Sequence, residues 1–352
     1  MRLGGGTILL GAAAFFASAA LAALVRRYAL SHALLDVPNE RSSHSVPTPR
    51  GGGLAIATVV LAGLVVLERA HLLVPRIAFG LFGGGLLVAV VGWLDDRHEL
   101  RATVRIVVHV AAAAWTLAWL GGMPNLTVAA EATHLGLGGT LLAMLGIVWL
   151  TNLYNFMDGI DGLAAAEAFI VSAAGVLLLA GPSPALALVA LLVAAAAAGF
   201  LVWNWPPARL FMGDVGSGFL GYTFGALALA SENARALPAL VWLVMLGPFF
   251  VDATVTLLRR MVRGERWYAG HRTHAYQRVV QGGWRHWQVS LLIAGLSAIL
   301  AAAGHLVVRT HSGLGYLVVG AVAGLGLLYL IVERCCPMPP VTGYKRPEGE
   351  SL

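Results

Sequence analysis

AFIVSAAGVLLLAGPSPALALVALLVAAAAAGFLVWNWPPA, residues 168–208, runs for 41 positions without a charge. A helix crosses a hydrocarbon core of about 30 Å with roughly 20 residues, so the stretch is too long for one span. It is also far too apolar to coat a soluble domain. Gly181-Pro182-Ser183-Pro184 divides it near the middle, because proline lacks the donor that a continuing helix needs and glycine tolerates a turn. Two spans result, at 163–180 and 185–202. A pair of adjacent apolar spans makes this an integral membrane protein, in which helices satisfy their own backbone groups.

The remaining sequence obeys the same grammar. Of 352 residues, 23 are Lys or Arg and 17 are Asp or Glu, 11% in all, against roughly 25% in ordinary soluble domains. Hydrophobic types make up 59%, and glycine adds 43 residues. That balance excludes a soluble two-domain enzyme, a disulfide scaffold and a disordered chain. The two cysteines, Cys335 and Cys336, adjoin, and a bond between neighbours is strained. Uncharged runs predict further spans at 5–25, 51–67, 77–94, 104–120, 138–154, 215–230, 237–257, 288–308 and 313–332. The expected fold is all-α and polytopic, with about 11 transmembrane helices; ten or nine remain compatible, the short run 51–67 being the weakest. The Ala-rich first 25 residues read as a span and not as a cleaved signal, because no soluble domain follows them. With no long-period repeat and no linker, residues 1–352 form a single membrane domain. Gly221-xxx-Gly225 and Gly320-xxx-Gly324 are spacings that mark close helix packing.

Basic residues orient the chain. With the N-terminus outside, the inside segments 26–50, 95–105, 155–162, 203–214, 258–287 and the tail from 333 hold 18 Arg or Lys. The outside segments hold five: Arg2, Arg69, Arg76, Arg235 and Arg309. The split follows the positive-inside rule. The net charge of +6 is therefore topology and not a nucleic-acid footprint, although a basic inner face suits anionic membrane lipids and phosphorylated ligands.

The acids are more informative. Asp95 and Asp96, Asp158 and Asp161, and Asp214 all fall at inside ends of spans, and Asp252 lies about two turns within the ninth. Carboxylates beside hydrocarbon are costly and mark sites; the bland reading, solvated loop acids, weakens for five gathered on one face. Adjacent Asp95 and Asp96 repel unless a cation offsets them. Asn152, Asn155, Asp158 and Asp161 recur every three residues, so a helical stretch puts them on one face. Asp214 stands between glycines at the opening of a span, where it could hold a hard cation against a phosphate. Asp and Asn oxygens point to Mg²⁺, with Mn²⁺ as the alternative, and not to Zn²⁺. His271 and His274, three apart, could bind zinc but lack a third ligand nearby; the arginines around them, Arg278 included, suit phosphate or diphosphate oxygens. Asn204, before Pro206-Pro207, could supply another amide. The polar stretch Asp36 to Gly53 is rich in Pro and Gly and reads as a defined loop, or as an ordinary connector.

Asp95-Asp96, Asn155-Phe156-Met157-Asp158-Gly159-Ile160-Asp161-Gly162-Leu163 and Phe211-Met212-Gly213-Asp214-Val215-Gly216-Ser217, in this order on a multi-span chain, resemble the polyprenyl-phosphate N-acetylhexosamine-1-phosphate transferases. That family includes the phospho-N-acetylmuramoyl-pentapeptide transferase of peptidoglycan synthesis. The resemblance runs from Asp36 to about Arg278. It implies that a polyprenyl phosphate, undecaprenyl phosphate in bacteria, attacks a UDP-N-acetylhexosamine at the cytoplasmic face of the inner membrane, releasing UMP. It implies Asp214 as the Mg²⁺ ligand and Asp95 and Asp96 as catalytic groups beside the reacting phosphates, Asp95 accepting a proton. Asn155, Asp158, Asp161 and Asn204 would then lie on the nucleotide side, and His271, His274 and Arg278 at the diphosphate. The peptidoglycan branch carries consecutive histidines where this chain has His271-Arg272-Thr273-His274. The chain is in that respect similar to the branch that starts O-antigen and related surface polysaccharides. A homodimer is plausible from the resemblance alone. The rival reading, a cation- or proton-coupled transporter, expects mid-membrane acids and two similar halves; here only Asp252 is deep and no such halves occur.

Overall fold

The computed structural model describes residues 4–38, 46–128, 132–265 and 271–339. Among them, thirteen helices carry the fold: α1 (Gly5–Ser31), α2 (Gly53–Arg69), α3 (Pro75–His98), α4 (Ala102–Leu120), α5 (Gly136–Phe156), α6 (Leu163–Leu179), α7 (Pro184–Asn204), α8 (Asp214–Asn233), α9 (Ala239–Met245), α10 (Gly247–Val262), α11 (Ala275–Gln281), α12 (His286–Thr310) and α13 (Leu314–Cys335). The only strands among the described residues are loop clasps: β1 (Leu35–Asp36) with β2 (Thr48–Pro49), and β3 (Asn125–Thr127) with β4 (Ala132–His134), both antiparallel. Residues 39–45 of the polar loop before α2 lie outside the described residues, but β1 and β2 tie its ends together.

Ten of the predicted spans each coincide with a helix and the ninth falls on the pair α9–α10, and the long uncharged stretch breaks where its Gly-Pro turn lies, between Leu179 and Pro184. By length and apolarity, seven helices qualify to cross a membrane, or eight if the bent pair α9–α10 is one span. The shortfall from about eleven has physical reasons. Helices α2 and α6 have 17 residues each. Helix α8 is long enough, but it includes Asp214, Glu232 and four glycines, and is buried continuously from Val215 to Glu232. Wrapped by its neighbours, it has little need of a lipid-compatible surface.

The ninth predicted span, 237–257, is not one straight helix. It bends by 78° at Leu246 and continues to Val262. Pro248 lacks the donor, and its ring cannot sit against the carbonyl four residues back; the Gly247-Pro248 pair was the signal. Beyond the bend, α10 buries Asp252, Ala253, Thr256 and Arg260 on one side and exposes Leu258, Met261 and Val262 on the other.

Connections gather at two ends. The α4–α5, α6–α7, α8–α9 and α12–α13 links line one cavity. The α3–α4, α5–α6 and α7–α8 links meet at the other end, as the bonds Leu100 to Asp95, Ala208 to Asp161 and Asp214 to Asp96 record. Helix α1 runs alongside α7 in the same direction, Gly11 lying against Leu191 and Arg26 bonding to the Arg209 carbonyl. Close approach sets the packing around α8. A β-carbon on Gly221 would strike the Leu150 carbonyl of α5, and one on Gly53 would strike the backbone of Gly216. Gly221-xxx-Gly225 is thus a packing seam. Gly320 and Gly324 touch nothing in the chain and lie on the outer surface of α13.

Candidate active site

The last turn of α3 delivers the acid pair, and its two members do different things. Asp95 is buried; its Oδ1 accepts the Leu100 N–H at 2.6 Å and its Oδ2 accepts from Arg105 Nη1 at 2.6 Å. Asp96 reaches to α8, accepting the backbone N–H of Asp214 at 3.0 Å on Oδ1 and that of Val215 at 3.3 Å on Oδ2. The first N–H groups of a helix need such acceptors. Asp96 therefore caps α8 from another helix. Gly213, at φ 75, leaves room for it, since a β-carbon there would collide with the Asp96 carboxylate. Arg50 donates to the Asp96 carbonyl and fastens the loop before α2 to the same corner.

Asp214 opens α8. Arg105 Nη1 donates to its Oδ2 at 3.2 Å, and the side chains of Asn155, at the end of α5, and Asp95 lie close enough to influence it. Arg105 thus bridges Asp95 and Asp214. Asp158, in the loop after α5, completes the group. Burial raises its pKa well above the usual carboxylate value, and repulsion from Asp214, Asp96 and Asp161 adds to the rise. Among the described residues no protein donor reaches its carboxyl, although part of its surface remains open.

The other sequence-predicted residues are placed less directly. Asp161 Oδ2 accepts the Ala208 N–H at 3.0 Å and lies 3.3 Å from His286 Nδ1, so it joins the α7–α8 loop to α12. Asn204 is 3% exposed and spends both ends of its amide on backbone, accepting from Gly162 N at 3.1 Å and donating to the Leu210 carbonyl at 3.0 Å. It shapes the loop and presents no free amide. His274 is buried, with Nδ1 3.5 Å from Asp252 and its ring stacked on His271 at 4.8 Å between centroids. Asp252 also accepts the N–H groups of Ala275 and Tyr276, capping α11. His271 is driven to a pKa of about 3, by burial first and then by repulsion from His274 and Arg260. It is a neutral ring at physiological pH.

Tyr276 Oη donates to the Phe156 carbonyl at 3.1 Å and packs on Gly159, which brings the histidine segment against the Asp158 loop. Arg278 faces the other way. At 2% exposed, it donates to Glu333 Oε2 at 2.7 Å and to the Cys336 carbonyl at 2.6 Å, on α13. The arrangement therefore unites Asp95, Asp96, Asn155, Asp158 and Asp214, sets His271 and His274 beside them through Tyr276, and ties Asn204 and Arg278 into internal bonds, with Arg278 Nε and Nη2 buried without a hydrogen-bond partner among the described residues. Arg105, Arg50 and His286 are contributors that sequence reading missed. In the sequence Arg105 reads as a topology charge, and its spacing of ten from Asp95 gives no helical cue across the break at Glu99–Arg101.

This corner of acids at helix ends is found where chains of known type also match. Residues 78–232 fit the family described as Glycosyl transferase family 4. A Bacillus subtilis (strain 168) protein named "Probable undecaprenyl-phosphate N-acetylglucosaminyl 1-phosphate transferase" is 31% identical over 295 residues, 82% of this chain and 80% of that one. The chain belongs to glycosyl transferase family 4. A phospho-N-acetylmuramoyl-pentapeptide-transferase of Moorella thermoacetica is 33% identical over 261 residues, covering 72% of this chain and 80% of its own length. A decaprenyl-phosphate N-acetylglucosaminephosphotransferase of Mycobacterium leprae is 28% identical, covering 84% and 82%. The family-matched span holds Asp95, Asp96, Asn155, Asp158, Asp161 and Asp214, and stops short of the histidine segment.

Proposed function

We propose that this family 4 transferase moves an N-acetylhexosamine-1-phosphate from a UDP-sugar to undecaprenyl phosphate, releasing UMP, as the initiating step of a surface polysaccharide. The relatives' names support transfer of a sugar phosphate to a polyprenyl phosphate. The observation that carries the reading is the meeting of Asp95, Asp96, Asp158 and Asp214 at one end of the helices, with Arg105 between two of them. So many carboxylates around one guanidinium call for further positive charge, and a lipid phosphate reaches helix ends without leaving the bilayer. N-acetylglucosamine is the first donor to test, because two of the relatives are named for it. The absent histidine run weighs against a muramoyl-pentapeptide donor.

The donor set fits a divalent ion. Its side chains offer hard oxygens, and no three His, Cys, Asp or Glu among the described residues converge to enclose an ion alone. Mg²⁺ characteristically takes one or two carboxylates and completes its shell with water and substrate phosphates. Asp214, with Asn155 beside it, would hold Mg²⁺ or Mn²⁺, which supplies charge compensation for the diphosphate. An oxygen of the lipid phosphate attacks the β-phosphorus as the bond to the bridging oxygen breaks, and UMP departs with that electron pair. Arg105 keeps Asp95 and Asp214 in register, and Asp96 fixes the start of α8. With Asp95 engaged by Arg105 and Leu100, Asp158 is the carboxyl left to meet the phosphates, donating a hydrogen bond from the proton that burial keeps on it. His271 meets the diphosphate as a neutral hydrogen-bonding ring.

In this reading the chain crosses the inner membrane about eleven times with its N-terminus outside, so the acid cluster faces the cytoplasm and its UDP-sugars. The 18-to-5 split of basic residues supports that orientation. Against the transporter reading, Asp252 is committed to α11; Glu167, a second buried acid, accepts from Ser297 on Oε1 and leaves Oε2 without a hydrogen-bond partner among the described residues. The deciding experiment incubates purified protein with undecaprenyl phosphate, Mg²⁺ and a panel of UDP-sugars and follows UMP. Folded protein that releases no UMP from any donor would sink the proposal.

A further inference from the structure

At the end of the bundle opposite the acids, four connections enclose a cavity of about 820 Å³. Its rim carries Arg235, His305, Arg309 and His311, and its wall is apolar, with Leu178 and Val241 among the lining residues. We infer that this cavity binds the anionic headgroup of a membrane lipid in the leaflet opposite the carboxylates.

The argument begins with where positive charge is free. On this side Arg69 lies 3.6 Å from Glu68, and Arg76 spends its guanidinium on the Trp119 and Leu120 carbonyls. Arg235 and Arg309 make no hydrogen bond or ion pair among the described residues, and both line the same cavity. Among the described residues, the two basic side chains of this face without a partner thus gather, with two histidines, around one opening. The acid in the cavity wall does not answer them. Glu232 is buried, and its oxygens accept from Thr127 N at 2.8 Å, Thr127 Oγ1 at 2.7 Å and Ala239 N at 2.6 Å. Arg309, in the last turn of α12, gains something from the helix dipole, but that leaves Arg235 and the histidines unexplained. Arg235 and His311 both hold left-handed backbone, at φ 52 and φ 50, in the turns that place them there.

The occupant follows from the setting. The cavity lies at helix ends, where a spanning bundle meets lipid headgroups, and Leu177 on its wall is 72% exposed. Tyr316, 88% exposed near the start of α13, fits the interfacial aromatic belt. A soluble anion would use the basic rim but leave the apolar wall bare, whereas a lipid covers both. Arg–phosphate bonds are charge-assisted and frequently bidentate. Such a lipid would join the α8–α9 turn to the end of α12.

The test uses the full-length protein in detergent and native mass spectrometry with phosphatidylglycerol and phosphatidylcholine. Wild type should retain phosphatidylglycerol in preference, and the Arg235→Gln/Arg309→Gln double variant should lose roughly 25-fold in that preference, about fivefold for each basic residue. Arg69→Gln, on the same face but outside the cavity, should keep it. Phosphatidylglycerol should also raise the melting temperature of wild type more than that of the double variant. A double variant that is folded and still prefers phosphatidylglycerol as wild type does would overturn the inference. So would competition by water-soluble glycerol phosphate at equal phosphate concentration, which would mark the rim as a site for free anions.

Discussion

The backbone N–H of Asp214 donates to Asp96 Oδ1 at 3.0 Å, so one carboxylate of the cluster holds the helix that carries another. Gly213 has no side chain to cap α8 itself, and the acceptor comes from α3. Asp96→Ala should therefore destabilise the protein by about 1–2 kcal/mol, the usual cost of a lost cap, and nearly abolish UMP release by letting Asp214 drift. Asp96→Asn retains one acceptor oxygen and should melt closer to wild type while still turning over slowly. Thermal unfolding in detergent beside a UMP assay checks both; an Asp96→Ala protein with wild-type melting would show that the cap carries no stability.

Arg105 is the one guanidinium shared by Asp95 and Asp214, at 2.6 and 3.2 Å. It would compete with the proposed divalent ion for the same oxygens. Arg105→Gln should therefore increase the affinity for Mg²⁺, read as a lower half-point in a Mg²⁺-dependent melting titration. Turnover should nonetheless fall by about 10- to 100-fold, because the carboxylates lose their register. Weaker Mg²⁺ binding in the variant would mean that Arg105 organises the ion's ligands and does not compete with them.

The membrane fold was legible because hydrocarbon imposes one rule on every span, and the break at Gly181–Pro184 follows from backbone chemistry alone. The kink at Gly247-Pro248 had an equally local cause, but an apolar run hides it. Within the site, the carboxylates stood out because acids are scarce in such a chain. Their partners did not. Arg105 looks like any inside-face arginine, and His286 like any residue opening a span. Sequence reveals Asn204 and Arg278 as polar groups but not the Leu210 carbonyl or the distant Glu333 to which each also donates.

Asp158 should show the cost of its own charge. Its folded pKa is raised above the unfolded value of 3.8, chiefly by burial, so the folded state holds a proton that the unfolded state has released. Stability at this position is therefore fully present below the unfolded pKa and is lost as pH rises towards the folded one. Asp158→Asn removes that dependence. In EDTA the variant should melt close to wild type at about pH 4.5 and above it at about pH 8, with activity lost at both. Added Mg²⁺ should narrow the gap by offsetting the cluster's charge. A gap that shrinks as pH rises in EDTA would contradict the assigned direction.

Arg278 and Glu333 separate a fastening from a phosphate ligand. Arg278 is 2% exposed and bound to Glu333 and the Cys336 carbonyl, so its removal should loosen the junction between α11 and the end of α13. Arg259 also pairs with Glu333 and keeps it from being orphaned. Arg278→Gln should therefore cost about 1–3 kcal/mol, below the 3–5 kcal/mol of a fully broken buried pair. Glu333→Gln should have a comparable effect on melting, and the double variant should cost less than the two single losses added together, because both remove the same bond. Initial rates on the folded fraction should give a donor KM within about threefold of wild type, the result expected of a fastening that adds no substrate-binding energy. A donor KM raised by orders of magnitude in Arg278→Gln, with Glu333→Gln unaffected, would return Arg278 to the diphosphate.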